Sequence, residues 1–123
     1  KLPKKIKVGK KWYSVETRET FAINGKHVWG GINYDAASIR IGTHRSNGRA
    51  LPEKEIDTTF WHELTHAVLK DMGSKLEANE AFVDAFSTRL SNAADQHDSE
   101  WYRPDKTEVA PEDLVLLMEL ASQ

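Results

Sequence analysis

Three residues in "FWHELTHAVLKDMG", positions 60–73, stand out by type and surroundings: His62, Glu63 and His66. Their neighbours Phe60, Trp61, Leu64, Ala67, Val68 and Leu69 are apolar. Ionisable groups desolvated in such a setting cost several kcal/mol each unless they find partners. Four residues apart on a helix, the two imidazoles project from one face, about 5.4 Å apart along the axis, so both can reach a single ion. Zinc accepts imidazole nitrogen at about 2.0–2.1 Å in roughly tetrahedral geometry, which this spacing permits without backbone strain. Glu63 is rotated by about 100° from His62 and does not easily chelate with both histidines, but it can lean toward a water in an open coordination position. The arrangement is HExxH: two ligands and a base. Read instead as core histidines beside an ordinary ion pair, the three groups would have few protein partners among these neighbours.

A zinc site that performs chemistry needs a third protein ligand. The downstream stretch "LEANEAFVD" offers Glu77, Glu80 and Asp84. On a helical wheel, Glu80 borders the apolar stripe of Leu76, Val83 and Leu90, whereas Glu77 points further toward solvent. Glu80 is therefore the expected third ligand, with Glu77 and the more distant His97 as rivals. Asp84, one turn beyond Glu80, is placed to accept the outer N–H of a ligating histidine. One Zn2+ per chain, held by His62, His66 and Glu80, is the expected complement.

HELTH followed by "NEAFVDAF" resembles the gluzincin class of zinc metallopeptidases, in which a glutamate on a following helix completes HExxH. Asn79, Glu80 and Asp84 match the NExxxD form of the thermolysin-like branch. The upstream "GGINYDAASIRIG" is similar to the hairpin that precedes the metal helix in minimal ImmA/IrrE-like and phage-encoded metallopeptidase domains. The resemblance runs from about Gly30 to Leu90. The gap from His66 to Glu80 is shorter than in the thermolysin-like enzymes and HELTH carries no glycine in its third place, so the wider family is implied and no single branch. The SprT-like group, whose third ligand is a histidine, keeps His97 as an alternative. The resemblance implies peptide-bond hydrolysis by zinc-activated water with Glu63 as general base, on a protein or peptide substrate held as an added strand along a sheet edge. The "SIRIG" strand is the expected edge. Tyr34, Arg40, His44, His97, Tyr102 and Arg103 are the candidates for a second donor to the oxyanion.

Elements to position these groups are legible around them. From Pro52, acidic Glu53, Glu55 and Asp57 near the start, Lys70 near the end and Gly73 beyond it predict a helix over 53–72. A second helix is expected from about Ser74 through Ala94, and a third in "PEDLVLLMELA". Upstream, alternation predicts two strands joined by a turn near Gly9 to Lys11. A hairpin turning at Asp35-Ala36-Ala37 is expected next, with Ile32 and Tyr34 before the turn and Ile39 and Ile41 after it. The expected architecture is a single α+β domain over 1–123, zincin-like, with a short antiparallel sheet packed on the HExxH helix and two further helices.

Composition excludes several alternatives. With 17 basic and 19 acidic residues, the net charge of −2 supplies no global attraction to nucleic acid or an acidic membrane. The chain has no cysteine, so disulfides and thiolate ligands are out and a metal site must use His, Asp and Glu. No apolar run approaches the roughly 18 residues of a membrane span. The expectation is a soluble, cytoplasmic protein, in the cytoplasm of a bacterial host if phage-encoded. Six lysines in the first eleven residues could touch nucleic acid, but Lys5 and Lys7 interleave with Ile6 and Val8 as on the solvent face of a guarded edge strand. The competing function is a catalytically silent, zinc-stabilised module that binds peptide or nucleic acid. Glu63 argues against it, because a purely structural site has no use for a base beside an open position.

Overall fold

Alternating side chains in the first eighteen residues produce β1 (Lys5–Val8) and β2 (Lys11–Arg18), an antiparallel pair in register Ile6↔Tyr13. Ile6, Val8 and Tyr13 face inward and are buried. On the outer face, the Lys5 and Lys7 ammonium groups lie 4.7 and 5.8 Å from the Trp12 ring centre, so these lysines of edge strand β1 cover an exposed aromatic of the neighbouring β2. These assignments come from a computed structural model that describes residues 2–96. His97, Tyr102, Arg103 and the third helix expected in the C-terminal stretch lie outside the described residues.

A short hairpin, β3 (Phe21–Ile23) and β4 (Lys26–Val28), comes next and was not anticipated from the alternation. Its signal was local: Asn24 and Gly25, at φ 53° and 78°, make a two-residue turn whose twist matches the flanking strands. The expected second hairpin is present as β5 (Gly30–Asn33) and β6 (Ser38–Gly42), antiparallel in register Ile32↔Ile39.

The sheet order is β1-β2-β6-β5, and β6 runs parallel to β2 with Val15 opposite Ile39. The sheet is therefore mixed, a correction to the antiparallel sheet expected. The β3–β4 excursion brings the chain back so that β6, the second arm of its hairpin, docks on β2 in the same direction and leaves β5 outermost. A second correction follows. "SIRIG" is an interior strand paired on both sides, and the free edge at this end of the sheet, among the described residues, belongs to "GGIN".

One face of the sheet carries Ile6, Val8, Tyr13, Ile39 and Ile41, all buried. Against it lies α1 (Glu53–Asp71), which buries Phe60, Trp61, Leu64 and Ala67 in the same cluster. The helix ends where expected. Gly73 at φ 68° turns the chain, its N–H donating to Lys70 O and that of Ser74 to Leu69 O, the paired bonds of a left-handed C-terminal cap. The segment after it departs from the expected single helix. A 3-10 turn spans Lys75–Ala78, Asn79 is extended, and α2 (Glu80–Gln96) begins only then. Asn79 Oδ1 accepts from the Phe82 N–H at 3.0 Å, so an asparagine expected inside a helix instead caps the start of one. Val83, Leu90 and Ala94 of α2 are buried. No helix among the described residues is long and apolar enough to cross a membrane.

Ile39 is fully buried at the centre of the sheet's packed face. Ile39→Ala should destabilise the protein by about 2–5 kcal/mol, read as a shift in urea midpoint at unchanged slope.

Candidate metal centre

The apolar stripe of α1 faces the sheet, and the residues at its border face outward toward α2 and β5. His62, Glu63 and His66 lie on that border, and one ligand atom from each falls within 4.8 Å of the others, a group that could hold a metal ion. Glu63 and His66 are buried at 7% and 6% exposure, so neither can lean on solvent. The two imidazoles stand edge to face with ring centres 5.0 Å apart.

Three carboxylates from the segment after α1 meet these rings. Asp84 Oδ1 lies 2.7 Å from His62 Nδ1, and Glu77 Oε2 lies 3.3 Å from His66 Nδ1. The other two nitrogens converge: His62 Nε2 is 3.2 Å from Glu80 Oε1, and His66 Nε2 is 3.3 Å from both Glu80 oxygens. A carboxylate stands beside each Nδ1, and Glu80, which can only accept, takes the His66 hydrogen bond at Nε2, where a bound cation would replace the proton. Ligands about 2.0–2.1 Å from an ion at tetrahedral angles stand about 3.3 Å from each other, so these separations fit a shared ion. His66 Nδ1 is a buried nitrogen without a hydrogen bond, since Glu77 is within ion-pair range but off the donor line.

The burial of the two glutamates reverses the wheel-based expectation. The Glu77 side chain is 26% exposed and that of Glu80 67%. Because the 3-10 turn and extended Asn79 break the helix between them, their angular relation is not the one a continuous helix would give. Glu80 stands at the first position of α2, where a carboxylate also complements the positive end of the helix dipole.

No family model, curated protein or solved structure matches this chain.

Glu63 sits beside β5. A Cβ placed on Gly30 would lie 2.7 Å from Thr59 Cγ2, 2.8 Å from Arg40 O and 3.4 Å from Glu63 Oε2, so only glycine lets the edge strand pass this close to Glu63. Burial pushes the Glu63 carboxyl up to about 7; His66 pulls it back, and the neighbouring carboxylates Glu80 and Asp84 push it further up. Glu63 and Gly30 both line a cavity of about 670 Å³, whose wall also includes His27, Trp29 and Arg45 together with His62 and Asp84. Trp29 is 45% exposed, with the His27 ring edge-on to it at 5.8 Å and the Arg45 guanidinium over it at 5.7 Å. Arg45 is also 3.5 Å from Glu55. His27 Nε2 is buried without a hydrogen-bond partner.

The donors expected from sequence are placed elsewhere. Tyr34 donates its hydroxyl hydrogen bond to Glu77 Oε2 at 2.6 Å, Arg40 lies 3.9 Å from Glu16, and His44 Nδ1 is 2.8 Å from Thr43 Oγ1. None of the three lines the cavity. Burial and the Glu77 bond hold the Tyr34 phenol far above its ordinary pKa. His27, Trp29 and Arg45 were not singled out from sequence. The Asn24-Gly25 turn is the signal that would have placed His27 on a hairpin, though not where that hairpin docks.

The folded protein holds a proton on Glu63 that the unfolded chain, with an ordinary value of 4.5, has released. Stability of the metal-free protein should therefore fall as pH rises from 4.5 to about 7 and level off above. Glu63→Gln should remove that slope, matching wild type near pH 4 and exceeding it near pH 8 by on the order of 3 kcal/mol, as read by urea titrations across pH.

Proposed function

We propose that this chain is a zincin-like metallopeptidase that hydrolyses peptide bonds, with zinc held by His62, His66 and Glu80 and with Glu63 as general base. The observation that carries the reading is the convergence of two imidazole Nε2 atoms on one carboxylate, beside a buried glutamate that opens into a cavity. Zinc bound there supplies Lewis acidity toward the scissile carbonyl and lowers the pKa of water to about 7.

The protein's own groups do the rest. Asp84 and Glu77 hold the two histidines from behind. Glu63 takes a proton from the attacking water and passes it to the leaving amine; its burial raises the carboxyl, which makes it a better proton acceptor than an exposed carboxylate. The backbone groups on the free side of β5 pair with an extended substrate, and Gly30 lets that substrate lie close to Glu63. His27, which lines the wall of the same cavity, donates a ring N–H to the substrate carbonyl.

Purified chain should contain one zinc by elemental analysis and cleave members of a peptide library. Glu63→Gln should keep the zinc and lower turnover by about 10²–10⁴-fold. His27→Ala should keep the zinc and lower kcat by about 10²-fold. Zinc uptake by wild type with no cleavage of any peptide would replace this reading with that of a silent peptide-binding module.

A further inference from the structure

Three segments of the chain meet at one oxygen atom. Tyr34, the residue after β5, donates to Glu77 Oε2 at 2.6 Å, and the same Oε2 lies 3.3 Å from His66 Nδ1 on α1. Glu77 belongs to the 3-10 turn, whose start is fixed by Ser74 accepting from the Leu76 N–H at 3.2 Å. The Tyr34 hydroxyl also approaches the His66 carbonyl oxygen at 3.4 Å, and the Lys70 ammonium stands 5.2 Å from the centre of its ring. The phenol is thus held against the metal helix from two directions.

Sequence offered Glu77 as a rival ligand, but it faces the wrong nitrogen for that. Glu80 lies at Nε2 of both histidines, and Glu77 lies at the Nδ1 of one. A carboxylate at Nδ1 attracts the ring proton to that atom and turns the ring about its own bond, and a carboxylate already bonded to a phenol cannot swing freely toward solvent.

We propose that Tyr34 and Glu77 are a positioning pair for His66. With a metal at Nε2, Glu77 receives the His66 proton at Nδ1, and Tyr34 holds Glu77 in place. Because Tyr34 directly follows β5, the pair also ties the end of the edge strand to α1. The pairing rests on the zinc centre proposed above.

The test compares the full chain with Tyr34→Phe and Glu77→Ala, each first shown to melt cooperatively. Zinc affinity is measured by competition with a chromophoric chelator, and the His66 Nδ1–H by its solvent exchange in 15N NMR of the zinc-loaded protein. Wild type should show a slowly exchanging Nδ1–H. Glu77→Ala should speed that exchange and weaken zinc binding by about 10–100-fold, and Tyr34→Phe should weaken it about tenfold. Wild type that binds zinc while both variants bind it equally well, with Nδ1–H exchange unchanged, overturns the pairing. Wild type that takes up no zinc overturns the metal centre and the pairing with it.

Discussion

Four imidazole nitrogens on one face of α1 have to be accommodated where little water reaches, and the rest of the site follows from how that is done. A helix cannot satisfy them itself, because its own backbone groups are already paired. Glu77, Glu80 and Asp84 approach them from the following segment, two behind the rings at Nδ1 and one in front between the Nε2 atoms, with His66 Nδ1 in ion-pair range of Glu77 but without a hydrogen bond. The Nε2 atoms and the Glu80 carboxylate stay together only with protons or a cation between them. That electrostatic tension is the physical content of the proposed metal centre.

The break between the 3-10 turn and α2 makes this distribution possible. On one continuous helix, Glu77 and Glu80 would project from neighbouring sides of a cylinder and compete for the same position. Asn79 caps a new helix instead, so Glu80 becomes a helix-starting residue and Asp84 stands one turn above it, while Glu77 is folded back toward the sheet. The side-chain preference of asparagine for helix starts therefore decides which carboxylate meets which nitrogen.

On the opposite side of the helix border, the sheet contributes by where it stops. β5 is outermost and carries Gly30 against Glu63, and the β3–β4 hairpin brings His27 into the cavity wall beside the base. The proposed substrate path thus needs elements from three places in the chain: the edge strand, the small hairpin and the metal helix. Tyr34 joins two of these physically through Glu77.

HExxH and its helix were legible in the residues alone because helical periodicity and end signals are local. His62 and His66 share a face by spacing, and Gly73 ends the helix because a residue at positive φ is needed there. The β5–β6 hairpin was legible for the same reason, from alternation and a turn. Burial of Glu77 over Glu80 was not, because a wheel assumes an unbroken helix. Nor was the parallel docking of β6 on β2, which puts "GGIN" rather than "SIRIG" at the edge, since pairing between strands distant in sequence is chosen by which apolar faces fit together. The partner of each imidazole nitrogen and the placing of His27 likewise rest on contacts between remote segments. Residue type and spacing determined which groups could perform chemistry; the packing of α2, the 3-10 turn and two hairpins around α1 decided which of them meet.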